Sequence, residues 1–248
     1  MSTTVGPVFP HENLVFMVDA GNSKSYSTSD TTKWYDISGK TGHYMDLGSG
    51  VSYQSSFGGV LRFTENSSGY ARISDSYVDL RSGQSTVVTF SRKLSNQNNG
   101  RIVTAWQNNW LLGHHDTSYG DYYAQGWVHN ISAGGGWPSD TTWRMFTGTG
   151  NTSSDVWQLY INDNLQVSNS SGSQGPRGFN INNQYSQYSN AEVGMIACWD
   201  RVLTADEVKD VFYMYRKLSL IHISEPTRPE RIAGAGLWVI KKIGGGGG

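Results

Sequence analysis

The stretch AEVGMIACWDRVLTADEVKDVFYMYRKL, residues 191–218, combines a strand, a short connection and the clearest helix of the chain. Apolar residues alternate in its first part, which predicts a β-strand with one face on the core. An Asp-Arg pair at residues 200–201 then indicates a connection that leaves the sheet. The predicted core face of the strand consists of Val193, Met195, Ala197 and Trp199.

The connection leads into a well-marked helix start. Thr204 and Glu207 have the spacing of a capping box, in which the Thr hydroxyl accepts the N–H of Glu207 and the Glu carboxylate accepts the N–H of Thr204. Leu203 before the cap and Val208 after it predict a hydrophobic staple. Apolar residues at helical spacing follow and predict one buried helix face. The members of that face are Val208, Val211, Phe212 and Tyr215.

Short strands joined by polar turns account for the rest of the chain. The segment DVWQLYINDNLQVSN, residues 155–169, predicts a hairpin in which Trp157, Leu159 and Ile161 share one face. Residues 162–164, Asn-Asp-Asn, supply its turn. Other strands recur at short intervals with no helical segment between them. This pattern favours a sandwich or jelly roll over a βαβ fold.

The composition suits such a fold and excludes several classes of function. The 248 residues include 30 Gly, 9 Trp and 14 Tyr, and 16% of them are charged, as expected for many turns and an aromatic core. The net charge of −1 gives no electrostatic footprint for nucleic acid or an anionic membrane. The single cysteine, Cys198, excludes an internal disulfide framework.

No targeting segment is recognisable in the sequence. Residues 1–10 lack the basic and apolar regions of a signal peptide. No run approaches the roughly 18 apolar residues that a membrane span needs. We therefore expect a soluble chain that was made in a cytoplasm.

The order of these segments resembles the concanavalin A-like jelly rolls of the laminin G-like type, particularly those encoded in phage and marine viral genomes. The resemblance covers roughly residues 13–217, and its most diagnostic part is the strand, connection and capped helix already described. It implies an all-β, concanavalin A-like jelly-roll sandwich of two antiparallel sheets with one short C-terminal helix. The other matching segments are LVFMVDAGNSKSY, WYDISGKTG, LRFTENSSGYARI, WLLGHHD, YYAQGWV and WQLYINDNLQV.

The end of the chain has a different character. LSLIHISEPTR, residues 218–228, resembles the translation of a transposase-type sequencing adapter, and the five glycines at residues 244–248 fit a poly-G read. The alternative is a genuine apolar strand followed by a tail. We predict an N-terminal arm at residues 1–12, one domain at residues 13–217 and a non-native tail at residues 218–248.

Motifs for catalysis are absent from the sequence. The laminarinase-like enzymes of this fold carry Glu-x-Asp-x-x-Glu on one strand, a pattern that does not occur here. Isolated acids such as Asp19, Glu65 and Glu192 are expected at turn or edge positions. No Gly-x-Ser-x-Gly motif occurs, and Cys198 lies in an apolar strand pattern that predicts a buried, inert thiol. The sequence therefore predicts a protein that is not an enzyme.

The densest group of potential metal ligands lies around residues 114–129. His114 and His115 are adjacent, so on a strand they point to opposite faces and do not easily share one ion. Carboxylates at a sandwich rim suit calcium better, and many lectin-like relatives hold calcium near their ligand. The candidate calcium ligands are Asp116 and Asp121, with Asp19 and Asn22 as a second group.

The same region offers the best case for a sugar site. Sugars present apolar C–H faces that stack on aromatic rings, and their hydroxyls need polar partners. The alternative for any one ring is packing in the core, and Tyr119 and Trp137 are the rings in the most loop-like contexts. The candidate ligand-binding residues are Trp110, His114, His115, Asp116, Tyr119, Asp121, Tyr122, Trp127 and Trp137.

Together these features predict a non-enzymatic phage virion module, a tail-fibre or capsid-surface protein, with lectin-like glycan binding through a loop rim. The second hypothesis is a structural module that binds other virion proteins. The third hypothesis is a glycoside hydrolase of the same fold. The resemblance also implies assembly with other virion proteins, and a homo-oligomer is a reasonable expectation.

Overall fold

A computed structural model describes residues 6–95, 100–131 and 141–221, with side chains up to Arg216. The chain forms a β-sandwich with one C-terminal helix. A single 3-10 turn among these residues spans Ser56–Gly58. The strands are β1 Leu14–Asp19, β2 Lys33–Tyr35, β3 Tyr44–Leu47, β4 Val51–Gln54, β5 Val60–Phe63, β6 Ala71–Ile73, β7 Gln84–Lys93, β8 Val103–Thr104, β9 Trp110–His115, β10 Ser118–Ala124, β11 Trp127–His129, β12 Arg144–Asn151, β13 Val156–Ile161, β14 Asn164–Asn169, β15 Phe179–Ile181 and β16 Ala191–Trp199, and helix α1 spans Ala205–Ile221.

The first layer is one large antiparallel sheet in the order β14-β13-β12-β7-β16-β5-β4. Strand β16 lies near its centre and pairs with β7 along one side. On its other side β16 pairs first with β5, at residues 191–193, and then with β1, at residues 195–199. The first strand, β1, and the last strand, β16, are therefore neighbours in the same sheet.

The second layer consists of two four-stranded sheets, β11-β10-β9-β8 and β15-β6-β3-β2. They meet where β8 lies beside β15. The N–H of Asn182 donates to the carbonyl of Ile102 at 2.7 Å, and the Thr104 hydroxyl donates to the carbonyl of Asn180. The predicted all-β sandwich of antiparallel sheets is confirmed.

The main core lies between the two layers and is rich in large rings. Trp34, Trp110 and Trp157 are fully buried in it. The predicted hairpin supplies Trp157, Leu159 and Ile161 to this core, as its alternation predicted. Its turn is one residue shorter than predicted, because β14 already begins at Asn164.

Strand β16 departs from its predicted pattern at one point. Its pairing with β7 shifts between Val193 and Met195, which is the signature of a bulge. Val193 therefore faces the main core, whereas Met195, Ala197 and Trp199 face the other side of the sheet. The prediction of a single face for all four residues was wrong because the bulge moves Val193 to the opposite face. Cys198 is fully buried in the main core, and this burial raises the pKa of its thiol.

Helix α1 covers the outer face of the large sheet. The capping box is confirmed: the Thr204 N–H donates to Glu207 Oε2 at 2.9 Å, and the Glu207 N–H donates to Thr204 Oγ1 at 3.2 Å. Leu203 and Val208 are both buried, as the staple requires. The predicted apolar helix face is confirmed, since its four residues pack with Trp199 in a second apolar cluster. The second cluster on this face also contains Met17, Val88, Phe90, Met145 and Met195.

Both ends of the described chain lie on this outer face. Phe9 is buried in the same second cluster, and the indole N–H of Trp199 donates to the carbonyl of Pro10 at 2.7 Å. This part of the predicted N-terminal arm is therefore docked on the sheet. At the other end, α1 runs on to Ile221, past the predicted domain boundary at Lys217. Within the described ranges, no helix has the length and hydropathy needed to cross a membrane.

Candidate functional site

The predicted site centres on the hairpin of β9 and β10. His115 pairs with Ser118 across a two-residue turn, and Asp116 in that turn has a left-handed φ of +46°. Asp is one of the few residue types other than glycine that adopt this conformation readily. The turn lies beside the end of β7, where the ammonium group of Lys93 donates to the carbonyl of Asp116.

Three of the predicted ligand-binding residues face the core instead of solvent. Trp110 and Tyr122 pack edge to face, with ring centroids 5.8 Å apart, and both are buried in the main core. Burial also raises the pKa of Tyr122 above its usual range. His114 is fully buried and lies edge-on against Phe146 at 4.9 Å. The prediction is corrected for these three residues, because side chains that alternate inward on β9 and β10 cannot reach a surface ligand.

The carboxylates of two candidate calcium ligands, Asp121 and Asp19, accept hydrogen bonds from other residues of the protein. The buried carboxylate of Asp121 accepts the Ser118 hydroxyl at 2.6 Å and the N–H of Ile131 at 2.7 Å. Asp19 likewise accepts the N–H of Gly21 at 2.8 Å and the hydroxyl of Tyr215 at 3.0 Å.

The amide oxygen of Asn22 accepts the N–H of Lys24 at 2.9 Å, and Asp116 lies 3.6 Å from the His115 ring. Among the described residues, no three His, Cys, Asp or Glu side chains are grouped so that they could hold a metal ion. In this part of the chain, the side chains of Asp19, Asn22 and Asp121 make hydrogen bonds within the protein.

His115 and Trp127 lie on the opposite, outer face of the second layer. Their ring centroids are 5.7 Å apart, and Tyr123 lies edge-on to Trp127 at 5.0 Å. Because His114 contacts the core and His115 contacts Trp127, the two histidines do point to opposite faces, as predicted. Strand alternation also explains why Tyr123 faces outward while its neighbour Tyr122 does not.

Two further residues, Arg101 and Tyr185, lie near this group, and neither was predicted from the sequence. The guanidinium of Arg101 lies 5.2 Å from the ring centroid of Tyr185, whose side chain is 60% exposed. Arg101 is mostly buried, and it donates to Asn109 Oδ1 at 2.8 Å. We call the group formed by Arg101, His115, Tyr123, Trp127 and Tyr185 the aromatic patch.

Electrostatic interactions link the members of the aromatic patch. Burial lowers the pKa of Arg101, and the nearby Tyr185, Asp116 and Tyr123 oppose that shift. Burial is also the main cause that lowers the pKa of His115, with Asp116 opposing it and Arg101 adding to it. The shift favours the neutral form of the His115 ring, which offers one donor and one acceptor.

Two predicted residues remain. The ring of Tyr119 lies under the Arg144 guanidinium at 3.6 Å and packs partly against the main core. Trp137 lies in residues 132–140, outside the described residues.

A second group of rings lies on the outer face of the β15-β6-β3-β2 sheet. Arg72 lies 4.2 Å from the Tyr70 ring centroid and 5.4 Å from that of Trp106. It also donates to Asn180 Oδ1 at 3.0 Å. Ala71 and Ile73 on either side of Arg72 face the main core. That alternation was the one signal in the sequence that could have placed Arg72 on the outer face.

Two buried carboxylates among the described residues, Glu192 and Asp121, have polar partners within the protein. Glu192 was expected at a turn or edge, but it is fully buried within β16. Arg62 Nη2 lies 2.6 Å from its Oε1, and Arg92 Nη2 lies 2.7 Å from its Oε2. Glu192 pairs with these arginines because a buried carboxylate needs compensating charge. Asp121 is also buried, and its carboxylate accepts the Ser118 hydroxyl and the N–H of Ile131.

Comparison with solved structures places this fold among known β-sandwich domains. The binding domain of Paraclostridial Mosquitocidal Protein 1 matches with a TM-score of 0.61 and 16% identity over 82% of this chain and 53% of that one. Domain 4 of AbnA, a GH43 extracellular arabinanase from Geobacillus stearothermophilus solved with arabinotriose, matches with a TM-score of 0.60 and 13% identity over 80% of this chain and 98% of that one. The ligand binding domain of botulinum neurotoxin serotype D, solved with N-acetylneuraminic acid, matches with a TM-score of 0.56 and 13% identity over 84% and 51%.

The chain spans about half the length of the mosquitocidal and neurotoxin structures that it matches. No protein-family model matches the sequence, and no curated protein is similar to it. At identities this low, the likeness concerns the fold. The chain is an all-β sandwich similar in fold to toxin binding domains and to an arabinanase domain.

Proposed function

We propose that this chain is a non-enzymatic glycan-binding module and that the aromatic patch is its sugar site. The observation that carries the proposal is the contact of Tyr123 and His115 with the Trp127 ring. Arg101 lies 5.2 Å from the Tyr185 ring and interacts electrostatically with His115 and Tyr123. Rings supply flat apolar surfaces for the C–H faces of a sugar, and the polar groups supply partners for its hydroxyls.

The fold comparisons support the glycan-binding part of this proposal in general terms. Domain 4 of AbnA was solved with arabinotriose, and the neurotoxin domain was solved with N-acetylneuraminic acid. Both are β-sandwiches of similar fold that carry a saccharide. We further propose that the module belongs to a phage virion, as a tail-fibre or capsid-surface protein. That part rests on the sequence resemblance to phage-encoded jelly rolls.

The test is glycan-array binding by the full chain, compared with a Trp127→Ala variant. Stacking one sugar face buries about 60 Å² of apolar surface on the ring, which is worth about 1.5 kcal/mol. We therefore expect Trp127→Ala to weaken binding about tenfold. The matched control is Tyr213→Ala, because Tyr213 is 41% exposed but lies on α1, away from the aromatic patch.

The array also separates the competing hypotheses. A blank array from folded protein would contradict glycan binding and favour a structural virion module. Release of sugar from a bound glycan would instead favour a glycoside hydrolase. We expect a calcium chelator to leave binding unchanged, because Asp19 and Asp121 are already hydrogen bonded within the protein.

A further inference from the structure

A separate pocket of about 450 Å³ opens beside strand β1. Three segments form its walls: the N-terminal arm, the residues that follow β1 and the loop between β2 and β3. Pockets of this volume fall in the range that holds small ligands in proteins. The polar residues that line it are His11, Asn22, Lys24, Asp36, Lys40 and Thr41.

The pocket walls are held in place by hydrogen bonds to the backbone. The carboxylate of Asp36 accepts the N–H of Met17 at 2.8 Å and the N–H of Ser38 at 2.9 Å. The next residue, Ile37, donates its N–H to the carbonyl of Met17 at 2.8 Å. The loop is therefore fastened along the edge of β1 that faces away from β16. On the opposite wall, the N–H of Lys24 is fixed by the side chain of buried Asn22 at 2.9 Å.

The charges of the lining are unequal and favour an anion. Lys24 and Lys40 are positively charged, and His11 also lines the pocket. Asp36 supplies the carboxylate of the lining. Its oxygens already accept the N–H of Met17, the N–H of Ser38 and the hydroxyl of Ser38, the last at 2.8 Å. Its side chain is fully buried. The lining therefore contains two lysines and one carboxylate, and that carboxylate already accepts three hydrogen bonds from the protein.

We propose that this pocket binds a small anionic ligand, which carries a carboxylate or phosphate for Lys24 and Lys40 and hydroxyl groups for Asn22 and Thr41. The volume suits a ligand of about one or two sugar rings. This site shares no residue with the aromatic patch. The inference therefore stands apart from the proposed glycan binding and can hold if that proposal fails.

The test is isothermal titration calorimetry of the full chain with four probes: sodium glucuronate, glucose 6-phosphate, inorganic phosphate and neutral glucose. We expect at least one anionic probe to bind with a Kd at or below about 1 mM and glucose to bind at least about tenfold more weakly. Binding should weaken as salt rises, because the contact is electrostatic and partly exposed. The glucuronate and phosphate arms distinguish a carboxylate site from a phosphate site.

Charge variants locate the binding. Lys24→Glu and Lys40→Glu should each weaken the anionic probe about tenfold or more, whereas Lys40→Arg should retain binding because it keeps the charge. The matched control is Lys209→Glu on the exposed side of α1, which should not alter binding. A Trp127→Ala variant should also retain anion binding, which separates this site from the aromatic patch.

Several results would overturn the proposal. The first is an affinity for glucose that equals the affinity for every anionic probe. The second is the absence of heat from any probe at about 10 mM. The third is an equal loss of binding in Lys40→Glu and Lys209→Glu. Thermal unfolding of each variant shows whether it is folded. If Lys24→Glu or Lys40→Glu fails to fold, Lys24→Gln and Lys40→Gln remove the charge without reversing it and give the same comparison.

Discussion

The buried Lys93 makes the stability of the domain depend on pH in a direction that can be calculated. Its side chain is fully buried at the end of β7, and burial lowers its pKa from 10.5 to about 8, although Asp116 and Asp121 oppose the shift. Between pH 8 and pH 10 the unfolded chain therefore binds more protons at this residue than the folded chain does. Stability must rise with pH across that window, and the cost of the buried charge is fully present below pH 8. From pH 8 to pH 9.5 the gain is about 1 to 2 kcal/mol.

The assay is urea unfolding at pH 7, 8, 9 and 9.5, followed by tryptophan fluorescence, for the parent chain and for Lys93→Met. The difference in unfolding free energy between the two proteins isolates Lys93 from other groups that titrate at high pH. We expect this difference to shift in favour of the parent by about 1 to 2 kcal/mol between pH 8 and pH 9.5. A difference that stays constant across the window would refute the reasoning, because it would mean that Lys93 titrates alike in both states.

Three further predictions concern the helix, the end of the chain and the buried carboxylate. Thr204→Ala removes the cap that accepts the Glu207 N–H, which should cost about 1 kcal/mol and lower the Tm by about 2 to 4 °C in a thermal melt; an unchanged Tm would contradict it. Deleting residues 222–248 should leave the Tm within about 2 °C, because the second cluster is built from residues up to Tyr215 among the described side chains; a larger drop would show that the tail is part of the fold. Glu192→Gln leaves the Arg92 guanidinium facing a neutral group and should cost about 3 kcal/mol in a urea titration; a loss below that of Thr204→Ala would show that the ion pair contributes little.

The parts of the fold that obey local rules could be predicted from the sequence. The cap at Thr204 and the alternation of Trp157 with Leu159 depend on neighbours a few residues away. The bulge between Val193 and Met195 depends instead on the register of a partner strand, so it has no local signal. The docking of Phe9 on the second cluster is likewise a long-range contact.

The candidate site shows the same limit more sharply. Tyr122 and Tyr123 are adjacent and chemically identical, yet one lies in the main core and the other in the aromatic patch. Whether a tyrosine of β10 is buried depends on which face of the strand packs against the large sheet. The amino-acid composition of the segment does not contain that information. Arg101 and Tyr185 come together because β8 lies beside the sheet that contains β15. Neither residue has a neighbour in sequence that would mark it as part of a site.

The position of the two described ends has a consequence for how the domain can be displayed. Phe9 and helix α1 both lie on the outer face of the large sheet, whereas the aromatic patch lies on the outer face of the other layer. A fusion or a neighbouring domain that is joined next to Phe9 or to α1 would therefore start on the face opposite the patch. Copies anchored side by side in this way would all point their rings outward. Weak binding by each copy would then add up to strong attachment on a surface that repeats its sugars.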